Sequence, residues 1–174
     1  IGGIAGINNS NITNCTNKGT ITAEATVAGI VGLSNAGTIS KVKNEGSING
    51  KQNVAGIAGG VISGNIEFSH NVGAINAENE NNEGGIVASV PESGSLTLNY
   101  SIQEGDVGVF SGTNNDLFDG IIDTPNNSTV TGTTYKYMDD ATISNSTLKN
   151  NIYIGDSVDP NATVNIINNS NVSS

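Results

Sequence analysis

The tetrapeptide Gly-Ile-x-Gly returns along the first hundred residues at a nearly constant interval, and this recurrence limits the possible folds more than any other feature. Gly3-Ile4-Ala5-Gly6, Gly29-Ile30-Val31-Gly32 and Gly56-Ile57-Ala58-Gly59 open three units. A fourth opens at Gly85-Ile86-Val87-Ala88, with alanine in the last place. The step from Gly3 to Gly29 is nearly repeated from Gly29 to Gly56, and the step from Gly56 to Gly85 is slightly longer. Each unit then offers a second apolar position between polar residues, at Ile12, Ile39, Ile66 and Leu96. A third follows a glycine, at Ile21, Ile48 and Ile75. Between the second and third lies Asn-x-Gly: Asn17-Lys18-Gly19, Asn44-Glu45-Gly46 and Asn71-Val72-Gly73. The fourth unit reads as having lost that element.

Three strand-sized pieces in about 27 residues is the length of one coil of a three-sided parallel β-solenoid. No piece is long enough to be stable alone, and none can cover its apolar side within its own coil. Stacking coils about 4.8 Å apart supplies both the backbone partners and the cover. The expected inner columns are Ile4, Ile30, Ile57 and Ile86; then Ile12, Ile39, Ile66 and Leu96; then Ile21, Ile48 and Ile75. Asn17, Asn44 and Asn71 are expected to superpose at a corner, their amides bonded along the axis. Asparagine tolerates left-handed backbone there, and the glycine two residues later relaxes the corner further. Gly3, Gly6, Gly29, Gly32, Gly56, Gly59 and Gly85 complete the set of residues read as structural.

Composition supports an all-β reading. The chain has 23 glycines and 28 asparagines in 174 residues, both poor helix formers. Apolar residues recurring in register distinguish it from a disordered polar chain. Six lysines, no arginine and sixteen acidic residues give a net charge of −10. That balance argues against a nucleic-acid partner and against docking on an anionic membrane. No apolar run is long enough to span a bilayer, and no signal peptide is visible. The sequence opens inside a repeat, at Ile1-Gly2-Gly3, which suggests a piece of something longer. Cys15 is the single cysteine, so no internal disulfide can form; it reads as a small buried apolar residue.

The second half is less regular. All eight glutamates lie at or before Glu104 and all eight aspartates at or after Asp106, where the first pattern also fades. The expected organisation is a repeat solenoid over 1–100, an irregular acidic connector over 101–125, and a second β-rich module over 126–174 that continues or caps the solenoid. In that module Ala141-Thr142-Ile143-Ser144-Asn145 and Ala162-Thr163-Val164-Asn165-Ile166 start similar runs, so the step from Ala141 to Ala162 is the expected repeat. Alternating apolar positions follow at Ile152, Ile154 and Val158, then at Ile167 and Val172.

The first half resembles a known repeat family. Gly2-Gly3-Ile4-Ala5-Gly6-Ile7-Asn8 and Ala28-Gly29-Ile30-Val31-Gly32-Leu33-Ser34 look like the GLUG repeat of bacterial surface and secreted proteins. In those proteins the core is followed by Ile-x-x-Cys-x-Asn-x-Gly-x-Ile, and residues 12–21 match it at every named position. Val42 and Ser69 replace the cysteine in later copies, and Ala88 replaces a core glycine. The resemblance covers residues 2–100. It implies an extracellular solenoid of the kind found in adhesin-like proteins and beside the protease domain of some immunoglobulin A proteases. It implies no catalytic residue.

Residues suited to catalysis or metal binding are few. His70 is the only histidine and is read as an exposed turn residue. Enzymes on parallel β-helices that cleave polysaccharides need facing carboxylates. Asp116, Asp119 and Asp123, or Asp139 and Asp140, could supply them, but the chain has no arginine to clamp a uronate and few aromatic rings to stack on sugars. The first three aspartates, gathered around Gly120, are the candidate calcium ligands, although their spacing is not that of an EF-hand. No other cofactor is expected. The resulting expectation is a non-catalytic structural or adhesion module, a rigid stalk or binding face on a bacterial cell surface. Its partners would be a host or environmental glycan or protein, or copies of itself. The alternatives are a self-assembling filament or surface-layer subunit, and an accessory domain of a secreted protease or polysaccharide-degrading enzyme.

Overall fold

A strand of two to five residues cannot satisfy its own backbone, so every short strand here is held by the equivalent strand of the coil above or below. The computed structural model describes residues 1–78, 83–91 and 93–105 in full. Beyond these it describes the strands at 122–124, 128–131, 134–135, 146–149, 152–154, 164–167 and 170–172. All described secondary structure is β, and every strand pairing is parallel.

The second coil shows the plan. Its strands are Val27–Ala28, Val31–Ser34, Thr38–Ser40, Lys43–Asn44 and Ile48–Gly50. Sequence pattern predicts three strand pieces per coil; the chain makes five, because corners divide the turn more finely. Each strand position builds its own sheet across the coils. Val31 lies opposite Ala5 below and Ala58 above, Ile48 lies between Ile21 and Ile75, and Asn44 lies between Asn17 and Asn71.

The core is aliphatic and continuous along the axis. Ile30, Ile57 and Ile86 are fully buried, as are Ile48 and Ile75, while Ile39 and Ile66 are nearly so. Ile4 departs from its expected column role: it is 46% exposed, because it belongs to the first coil and no described coil lies beneath it. Ile12 and Ile21 are only partly buried for the same reason.

The fourth coil corrects two expectations. Ile66 lies opposite Leu98, and Leu96 lies opposite Gly64, whose φ is +148°. Leu98 therefore continues the Ile12–Ile39–Ile66 column, with Leu96 buried beside it. The place of the Asn-x-Gly element is also kept, although its asparagine is gone. Gln103-Glu104-Gly105 occupies it, with Gln103 opposite Asn71. Between the third and fourth coils the offset grows to 32 residues at this point, which hides the equivalence from a count based on the earlier coils.

Beyond residue 105 the sheets carry on through the strands the structure describes. Leu98 pairs with Val130, Ile102 with Thr134 and Val87 with Ile122. Two strands, Ile102–Gln103 and Ile122–Thr124, thus fall within the stretch expected to be an irregular connector. The last coils then shorten. Thr134 pairs with Ile152 and Ile152 with Ser170, a step well below that of the first coils. The repeat expected from Ala141 to Ala162 is corrected to this shorter step: Val164 stands opposite Ser146, and Ile154 opposite Val172.

Candidate functional site

The Gly-Ile-x-Gly and Asn-x-Gly motifs turn out to be one device. Asn17, Asn44, Asn71 and Gln103 are buried strand residues whose side chains point inward. Each asparagine donates one amide hydrogen to the carbonyl two residues on, at Gly19, Gly46 or Gly73. The other goes to the amide oxygen of the next coil: Asn17 to Asn44 at 2.8 Å, Asn44 to Asn71 at 2.8 Å, Asn71 to Gln103 at 3.0 Å. These amides lie so close to the backbone of Gly29, Gly56 and Gly85 that a Cβ there would overlap Asn44, Asn71 and Gln103 respectively. Glycine is required by close approach. The left-handed corner expected at the asparagines lies three residues earlier, because the asparagines themselves are extended.

That corner opens an outward face. Asn14, Lys41, Phe68 and Tyr100 stack along the axis with φ of 55°, 54°, 49° and 46°. Their backbones repeat one bond: Asn14 N–H to Ser40, Lys41 N–H to Glu67 and Phe68 N–H to Asn99. Asparagine is at home in this conformation, whereas bulky residues occupy it rarely and at a cost. The Phe68 and Tyr100 rings are stacked, with centroids 5.5 Å apart and planes 15° from parallel. They remain 50% and 57% exposed.

Two further columns complete the face. Thr16, Lys43, His70 and Ile102 follow one another by register, because strand alternation turns them outward when the asparagines turn in. His70, expected in an exposed turn, is thus a strand residue and partly buried. Lys18, Glu45, Val72 and Glu104 come next; they too are exposed. Lys43 bonds Glu45 at 2.8 Å, with Lys18 at 3.7 Å. The Lys43 hydrogen bond, helped by the charge of Lys18, holds the Glu45 carboxyl below its ordinary 4.5. His70 Nε2 lies 3.1 Å from Glu104 Oε2, close enough for an ion pair but not aligned as a hydrogen bond. Lys41 makes no ion pair among the described residues. The face therefore carries its lysines on the first two coils and mainly aromatic and aliphatic side chains on the third and fourth, with the His70–Glu104 pair among them.

A second surface feature lies on another sheet. Thr22, Asn49 and Asn76 form an outward amide ladder, with Asn76 donating to Asn49 at 2.9 Å. Beside it Glu24, Lys51 and Glu78 alternate in charge. Lys51 is held above its ordinary 10.5, first by its hydrogen bond to Glu24 and then by the charges of Glu24 and Glu78. A groove of about 470 Å³ runs between the two columns, floored by Ala23, Gly50 and Ala77.

The remaining sequence candidates are quickly placed. Cys15 is half-buried against the main core, in the column that continues through Val42, Ser69 and Ser101. Asp116, Asp119, Asp139 and Asp140 lie outside the described residues; Asp123 lies on the strand Ile122–Thr124, with its side chain likewise outside them. Among the described residues no three His, Cys, Asp or Glu side chains come together as a metal site. The aromatic corner was missed from sequence: Asn14, Lys41, Phe68 and Tyr100 share a backbone conformation but no residue type. The one available signal was position, two residues after Ile12, Ile39, Ile66 and Leu98.

No protein-family model, no curated protein and no solved structure matches the chain.

Proposed function

We propose that this chain is a rigid, non-catalytic display module of a bacterial surface protein: a stalk whose side carries a binding face. The observation that carries the reading is the pairing of two features along one axis. Inward, the amide column and the isoleucine columns tie each coil to the next with unbroken register. Outward, chemically distinct side chains are held in straight columns at the coil spacing. Stiffness along an axis with freedom to vary the exterior is what a repeat architecture offers a protein that presents a surface. The likeness of residues 2–100 to the GLUG repeat supports the extracellular and adhesin-like side of the reading.

Two measurements test it. Antibodies against the chain should label intact source cells without permeabilisation; labelling only after permeabilisation overturns the surface location. The purified chain should bind some member of a panel of immobilised glycans and matrix proteins. Surface labelling with no binding across the panel would remove the adhesive half and leave the stalk.

A further inference from the structure

The face built by residues 14–18, 41–45, 68–72 and 100–104 concentrates what the rest of the chain lacks. Of the four lysines in residues 1–105, three stand on it: Lys18, Lys41 and Lys43. Set against Glu45 and Glu104, they leave the face with one net positive charge in a chain of net charge −10. Next to the lysines lie four exposed apolar side chains, Phe68, Tyr100, Val72 and Ile102, between 38% and 57% exposed, with the His70–Glu104 pair among them. Phe68 and Tyr100 also hold a backbone conformation that their residue types disfavour, and such conformations collect at functional sites.

From this geometry we infer that the face binds a polysaccharide whose uronate carboxylates are spaced by neutral sugars, lying along the solenoid axis. This deepens the display-module reading and rests on it. Lys41, which has no ion-pair partner among the described residues, meets a carboxylate, while Lys43 and Lys18 are already paired with Glu45. The exposed rings and Ile102 cover the less polar faces of the neighbouring sugars. Each ring gives one face to the other, leaving edges and outer faces for the ligand.

Other occupants fit less well. A peptide adding as a strand needs an open sheet edge, and here the backbone of the Lys43 and His70 strands is bonded to coils on both sides. A nucleic acid carries a phosphate on every nucleotide and asks for many cations; this face has three, flanked by Glu45 and Glu104. A densely sulfated chain meets the same two glutamates. Absence of arginine argues against the bidentate clamp that a uronate-cleaving enzyme would need, but reversible binding asks only for well-placed point charges.

Native electrophoresis of the full chain through gels containing hyaluronan, heparin or dextran tests the inference. Hyaluronan should retard the protein, with the effect shrinking as salt is raised, and dextran should not. Lys41→Asn and Phe68→Asn should each weaken retention by about tenfold or more. Asparagine already occupies this conformation at Asn14, so both variants are expected to fold, as circular dichroism would verify. Lys51→Gln, in the groove on the other sheet, should leave retention unchanged. As a readout independent of any variant, hyaluronan should shift the Tyr100 ring resonances of the unaltered protein.

No retardation by hyaluronan overturns the inference, and so does retention that survives both corner variants. Stronger retention by heparin, or by a single-stranded oligonucleotide added to the gel, overturns the carboxylate assignment. None of these outcomes touches surface labelling of intact cells, so a failure of the ligand class is distinguishable from a failure of the display function.

Discussion

Asn71 donates its side-chain amide to Gln103 at 3.0 Å, across an offset of 32 residues where the earlier coils use 27. The longer fourth coil is thus absorbed without breaking the buried amide column. Glutamine's extra methylene keeps its amide against Gly85, much as Asn71 lies against Gly56.

Breaking that column should be costly. Asn44 is fully buried and serves Gly46, Asn71 and Asn17 at once. Asn44→Ala strands those partners in the interior, at about 1–3 kcal/mol for each group left unsatisfied. Urea unfolding followed by circular dichroism should show a loss of about 3 kcal/mol or more. Gly56→Ala, which drives a methyl into the Asn71 amide, should also destabilise; a neutral result for either would mean the column is not load-sharing.

Core position should grade the cost of truncation. Ile57 is fully buried between coils, so Ile57→Ala is expected to cost about 3 kcal/mol. Ile4 is 46% exposed, and Ile4→Ala should cost about 1 kcal/mol or less. Equal losses in unfolding free energy would contradict the burial described for the first coil.

The left-handed corner makes an unusual stability forecast. Lys41→Asn removes a disfavoured backbone residue and no ion pair, so stability should rise by about 1 kcal/mol. Phe68→Asn gains the same relief but loses the stack on Tyr100, worth about 0.5–1.5 kcal/mol, and should be nearly neutral. Thermal midpoints in the order Lys41→Asn, then unaltered protein and Phe68→Asn together, would support the account; a large loss at Lys41→Asn would contradict it.

Titration of Glu45 should report its two lysines. Its folded-state value is lowered, so its contribution to stability is present above the ordinary 4.5 and disappears as pH falls through the lowered value. Carbon-detected NMR should place its midpoint below 4.5, and Lys43→Gln should move it back up. Both partners are substantially exposed, so high salt should shrink the shift.

How much of this could be read from the sequence depends on what repeats. Ile30 and Ile57, Ile39 and Ile66, Ile48 and Ile75 recur at one fixed interval because they face one core, and their columns follow from that spacing. Leu96 misled because Leu96 and Leu98 lie two residues apart and share a face, so a slip of two leaves the apolar pattern intact. Gly64, with its φ of +148° opposite Leu96, marks the true register, and that is a backbone property. The outward face was less legible still. Net charge summed over 174 residues averages away a patch of three lysines, and only the fold brings Lys18 beside Lys43.

The amide column has one more property. From Asn17 through Asn44 and Asn71 to Gln103, every hydrogen bond between coils runs from a donor to an acceptor in the higher-numbered coil. The dipoles therefore add head to tail, and each bond polarises the next. Along one corner of its interior the solenoid thus carries an electrical direction, running from the first coil to the fourth.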